Sequence, residues 1–271
     1  MISGDLLSSL RLIHHSRSET DLWSLPQCEI ASSPRDWRNP SYSTNSTAYL
    51  TVVSSFLCPS DGNAGKGGFI NSYASSMGTS TFGYPQGNPP TPQQNSTGAF
   101  AYQQNFSLAQ FTDGTSNTIA YSEFVVNNPL ARAPGRSTQT GLKTASLLDV
   151  NSTGLANVLA DMVNCTTAYQ GGQQGNGPGN TWATGAMGYT MFNTVVPPNG
   201  GGQVKWSACR NGCCPQAQHA DLVVATSLHS GGVNALFADG SVKFIKNTIS
   251  IPTWWALGTR GNGEVISADA Y

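Results

Sequence analysis

Between residues 228 and 245 the chain reads Leu-His-Ser-Gly-Gly-Val-Asn-Ala-Leu-Phe-Ala-Asp-Gly-Ser-Val-Lys-Phe-Ile, two alternating apolar runs either side of Asp239-Gly240. Asp-Gly between such runs predicts an antiparallel hairpin, because a two-residue type I′ turn needs positive φ at both positions. With that turn, Val242 faces Phe237 and Phe244 faces Ala235, and with Val233 they form the buried face. Asn234, Ser241 and Lys243 then line the outer face, with Leu236 and Ile245 as exceptions. Residues 233–238 as a strand span roughly 20 Å, so His229 and Asp239 fall at opposite ends of the hairpin and make no catalytic pair.

Elsewhere the pattern is weaker. Leu6, Leu7, Leu10 and Ile13 share a helical stripe over residues 5–15, and residues 16–48 are polar and punctuated by Pro26, Pro34 and Pro40. Strands are predicted over 49–57, 118–126, 189–196 and 222–227, with a short ordered piece near 73–77 and a helical turn near 108–111. A helix capped by Ser152 or Thr153 carries the stripe Leu155, Val158, Leu159, Met162 and Val163 and ends near Gly171. A second opens at Pro252 and runs over 251–257, with Trp254 and Trp255 as core and cover. The pattern divides the chain into a helix and polar loop over 1–48 and a globular α+β domain over 49–271.

Composition narrows the class. Of 271 residues only 10% are charged, whereas Gly numbers 30 and Pro 15, which describes a loop-rich, neutral-polar surface typical of exported proteins. A net charge of −1 gives no electrostatic case for nucleic acid or an anionic membrane, and the aromatics lack basic company. No apolar run is long enough to span a bilayer, and residues 1–20 lack the shape of a signal peptide. Six cysteines, an even number in an exported chain, predict disulfides among Cys28, Cys58, Cys165, Cys209, Cys213 and Cys214, with pairing left open. A metal reading of Cys209, Cys213 and Cys214 is weaker, because adjacent cysteines rarely ligate one ion.

His229, nine residues, then Asp239-Gly240 resembles the C-terminal H-X9-DG element of bacterial prepilin-type, pseudopilin-like proteins. Four other stretches resemble the same family in the same order: Phe56-Leu57-Cys58-Pro59-Ser60-Asp61, Tyr73-Ala74-Ser75-Ser76-Met77-Gly78-Thr79, Phe111-Thr112-Asp113-Gly114-Thr115-Ser116-Asn117-Thr118, and the tail over 256–271. The resemblance covers roughly residues 50 to 271. It implies a pilin-like fold, an N-terminal helix packed on an antiparallel sheet, and no known activity. It further implies an exported location (periplasmic, cell-surface or extracellular) and pilin-like or secretion-system subunits, as in type II secretion, for partners. Members of that family begin with a prepilin leader and a long hydrophobic helix. Neither is evident in residues 1–20, so the chain as given is expected to be soluble.

The candidate chemistry lies in oxygen-rich turns and few histidines. Asp113, Thr115 and Asn117 place side-chain oxygens at the opening spacing of an EF-hand loop, but Thr118 stands where the invariant Gly belongs and Phe124 where the bidentate Glu belongs. Ca²⁺ is the candidate ion there, with Glu123 or an aspartate from another loop as a further ligand. The plainer reading, that these side chains satisfy turn backbone, is preferred. Gly-x-Ser-x-Gly and His-Glu-x-x-His are both absent. His219 and Asp221 lie on one face of an extended segment, and with His229 form the candidate catalytic set of a metal-assisted hydrolase acting on a small ester or lactone. The leading expectation is a structural pseudopilin-like component of a secretion or pilus-type machine, and the hydrolase is its alternative.

Overall fold

A computed structural model describes residues 50–62, 70–82, 96–101, 104–126, 141–175, 177–179, 181–212 and 219–267, together with Thr47, Ala64 and Ala217; residue 63 is excepted. The helix expected over 5–15, the loop over 16–48, and Cys28, Cys213 and Cys214 lie outside the described residues. The class is α+β. Strands β1 (Tyr73–Ser76), β2 (Ile119–Glu123), β3 (Met191–Phe192), β6 (Gly232–Phe237) and β7 (Val242–Lys246) form a sheet in the order β3-β1-β2-β6-β7. All its pairs are antiparallel except β1 with β3, which departs from the wholly antiparallel sheet expected. Strands β4 (Ala208–Cys209) and β5 (Leu222–Val223) pair separately. Central β2 is buried at all five positions, as a strand covered on both faces must be.

The hairpin forms, in a different register. Leu236 pairs with Val242, Ala235 with Lys243 and Val233 with Ile245. Phe237 N donates to Ser241 O at 2.8 Å and Gly240 N to Phe237 O at 3.0 Å. The loop is therefore Ala238-Asp239-Gly240, and within it only Gly240 has positive φ, at 88°. That is a three-residue turn with a glycine bulge rather than type I′. The change slips the pairing by one residue, which turns β7 over. Ile245 is fully buried beside Val233, Ala235 and Phe237, while Val242 and Phe244 are exposed. The Lys243 ammonium lies over the Phe237 ring with Nζ 4.2 Å from its centroid, a cation–π contact, and also donates to Ser116 O at 3.0 Å.

The other expected strands shorten or are lost, and of 118–126 only β2 is strand. Over 49–57 a 3₁₀ turn at Ser54–Phe56 replaces the strand. This segment is held by scattered contacts instead of a ladder: Ser72 N donates to Phe56 O, Trp182 Nε1 donates to Thr51 O, and Phe56 meets the Trp182 ring edge-on. Of 189–196 only β3 is strand, and of 222–227 only β5.

Both helices form. Helix α1 (Leu155–Gln170) is capped by Gly154 at φ 78° rather than by Ser152 or Thr153. Its buried face is Val158, Asp161 and Cys165, while Leu155, Leu159 and Val163 from the expected stripe are exposed. Two inward attachments set this rotation. The Asp161 carboxylate accepts from Lys143 N, Thr144 N and Thr144 Oγ1, and Cys165 forms a disulfide with Cys209 at a Cα–Cα distance of 6.0 Å. Closing a loop of that sequence separation, 44, stabilises the fold by about 4 kcal/mol in the chain-entropy picture.

Helix α2 (Ile251–Gly258) is capped by Ser250 with Pro252 in its first turn. Trp254 joins the core that contains Ile119, Phe192 and Phe237, while Trp255 joins the core around Val158, Cys165 and Trp206. Their indole N–H groups donate to Val196 O and Val195 O, each at 2.9 Å. No described helix is long and apolar enough to cross a membrane.

The hairpin yields a test. A Cβ on Gly240 would meet nothing within 4 Å, so only backbone strain opposes substitution. Gly240→Val is expected to cost about 1–3 kcal/mol in denaturant unfolding, and Gly240→Asn distinctly less, because Asn tolerates positive φ. Equal stability of both variants and the parent would contradict the glycine bulge.

Candidate functional site

Pairing of β1 with β2 sets Tyr73 opposite Glu123 at the end of the central strand. Glu123 is only 5% exposed, and burial of a carboxyl group demands partners for its oxygens. Asn234 on β6 supplies two. Its backbone N donates to Oε2 at 2.9 Å and its Nδ2 to Oε1 at 3.0 Å. His229, in the turn leading into β6, brings Nε2 to 3.4 Å from the same Oε1. Its backbone is fixed by Ser227, whose Oγ accepts from His229 N.

From the other side comes Cys58, a free, half-buried thiol. Its loop is closed by Asp61, whose N donates to Cys58 O and whose Oδ2 accepts from Val126 N at 2.8 Å. Burial first, then the negative groups of Cys58 and Glu123, push the Tyr73 pKa up to about 12. A carboxylate oxygen of Glu123, one imidazole nitrogen of His229 and the Cys58 sulfur all lie within 4.8 Å of one another. Among the described residues no other three His, Cys, Asp or Glu side chains converge in this way. Beside them is a pocket lined by Cys58, Asp61, Glu123 and Thr226, with room for about one water molecule.

The other candidate residues are placed apart. Asp113 binds the tail loop: Oδ1 accepts from Gly263 N at 2.8 Å and Oδ2 from Asn262 N at 2.9 Å. Asn117 Nδ2 donates to Asp113 O, and Thr115 O accepts from Asp239 N. Of these, only the Asn117 side chain bonds the backbone of its own turn, while the Asp113 carboxylate serves the tail loop. Glu123 lies at the far end of β2 from that loop and is engaged by Asn234 and His229. Asp239 accepts from Ser241 N and Oγ, which holds its carboxyl below the usual range.

His219, Asp221 and His229 do not share a site. His219 has φ 56° and meets the Tyr189 ring edge-on. Asp221 accepts from Ser146 N at 3.2 Å and Asn211 N at 2.7 Å. Of the disulfide candidates among the described residues, Cys165 and Cys209 pair and Cys58 stays a thiol. Sequence reasoning had picked out Cys58, Glu123 and His229 for three separate roles. Their convergence, and the parts of Tyr73 and Asn234, were missed. The signal that could have revealed it is the alternation along β1, β2 and β6, once their pairing is known.

Comparison with known families matches residues 19–251 to the family described as "Protein of unknown function (DUF1559)". The chain belongs to that family. It is a family associated with prepilin-like proteins. Comparisons with curated proteins and with solved structures find no match.

Asp221 gives this DUF1559 protein a pH signature. Burial raises its pKa from 3.8 to about 7, against the opposing pull of the Asn211 and Ser146 N–H groups and of Arg210. A folded-state pKa above the unfolded one makes stability full below about pH 4 and lost as pH rises towards 7, with a slope of up to about 1.4 kcal/mol per pH unit. Asp221→Asn is expected to flatten the fall in unfolding free energy across this window relative to the parent. Identical pH slopes in the two proteins would contradict the assignment.

Proposed function

We propose that the protein is an exported, pseudopilin-like structural component acting in the assembly or tip of a secretion or pilus-type machine, alongside other pilin-like subunits. The observation that carries this reading is the family match over residues 19–251. The order of His229 and Asp239-Gly240, read as an H-X9-DG element, supports it. So does the Cys165–Cys209 disulfide, a bond that persists in oxidising compartments outside the cytoplasm. The loops that carry the family-like motifs spend their polar groups on one another. Asp113 holds the tail at Asn262 and Gly263, and the Asp239 turn is held by Thr115, as suits a domain whose task is shape.

A metal-assisted ester or lactone hydrolase is the second reading, and the observation on its side is the Cys58, Glu123 and His229 group beside a small pocket. The expected catalytic set lends it less, since Asp221 commits its carboxylate oxygens to the Ser146 and Asn211 N–H groups. Ca²⁺ at Asp113, Thr115 and Asn117 is compatible with either reading.

Fractionation of the source cell with an antibody to this chain separates the readings. The structural role predicts recovery outside the cytoplasm, with Cys165 and Cys209 oxidised, crosslinked into a high-mass assembly with pilin-like subunits. A reduced cytoplasmic monomer, or an exported monomer with chelator-sensitive turnover of small esters or lactones, would overturn it.

A further inference from the structure

We propose that Cys58, Glu123 and His229 bind a Zn²⁺ ion through three protein ligands, with the adjoining pocket giving a water the fourth position. The three ligand atoms lie within 4.8 Å of one another, and the Glu123–His229 pair is already at 3.4 Å. Ligand atoms around a tetrahedral Zn²⁺ sit about 3.5 Å apart, so side-chain rotation of the order of 1 Å closes the set. A nucleophilic relay would instead need the thiol and the carboxylate on opposite edges of the imidazole. Here a single imidazole nitrogen lies within 4.8 Å of both, which is the arrangement of ligands around one point.

Donor chemistry selects the ion. A thiolate with an imidazole and one carboxylate suits Zn²⁺, whereas Ca²⁺ and Mg²⁺ favour cages made wholly of oxygen. Outer contacts of the kind that orient metal ligands are in place. Asn234 holds both Glu123 oxygens. Three protein ligands with a small pocket alongside correspond to an open zinc site rather than a closed structural one. The ion would bind together the Cys58 loop, the end of β2 and the turn before β6, three segments far apart in sequence. The inference goes beyond the structural role proposed above and stands whichever of the two readings holds.

Co²⁺ serves as the spectroscopic probe and Zn²⁺ as the competitor, with the purified full chain in metal-free buffer lacking thiol reductant. The expected result is one Co²⁺ per chain, showing a thiolate-to-cobalt charge-transfer band and the intense visible absorption of tetrahedral Co²⁺, displaced by one equivalent of Zn²⁺. Cys58→Ser should abolish the thiolate band. His229→Ala changes a side chain that is 37% exposed and so is safe for the fold. It should weaken Zn²⁺ binding at least tenfold, while His219→Ala leaves it unchanged. Absence of the band in the parent, its survival in Cys58→Ser, or unaltered affinity in His229→Ala would each overturn the proposal.

Discussion

Taking the Glu123 carboxyl group out of water at the end of the central strand costs several kcal/mol unless its oxygens are filled, and the surrounding chain is disposed to fill them. Asn234 donates twice from the neighbouring strand, which is possible only in the observed pairing of β2 with β6. Tyr73 stands opposite Glu123 on β1, His229 is brought in by the turn before β6, and Cys58 comes from the loop closed by Asp61. One buried acidic side chain thus ties strand register to loop placement. The two-sided burial of β2 makes its position hard to alter, since any slip would expose Ile119 or strand the carboxyl group.

A second constraint joins the two cores. Trp254 and Trp255 are adjacent on α2 and face different clusters, yet both donate to consecutive carbonyls of the 195–196 segment. The Cys165–Cys209 disulfide then fastens α1 to β4 within the second core.

The class, the hairpin and both described helices were legible in the sequence, because period and turn chemistry are local. Register was not. Asp-Gly serves a two-residue turn with two positive φ angles and a three-residue turn with one, and the choice lies in what packs against β7. Counting apolar residues put Val242 and Phe244 inside, but the Lys243 ammonium over Phe237 and the side chain of Ile245 occupy that face. The α1 stripe was misread for a related reason. A buried Asp161, satisfied by Lys143 and Thr144, turns the helix against its own apolar pattern. In the site, each of Cys58, Glu123 and His229 carried a visible reactive group, but their meeting depends on long-range strand pairing that no local pattern encodes. The expected strand over 49–57 failed because β propensity there finds no ladder to join.

The central claim, that Glu123 organises this region through Asn234, is tested most directly by a double-mutant cycle in denaturant unfolding. The cycle compares Glu123→Gln, Asn234→Ala and the double variant with the parent. Direct contact predicts a coupling energy of about 1–3 kcal/mol, because each single change leaves buried polar groups of the other residue unsatisfied. Additivity to within about 0.5 kcal/mol would contradict it.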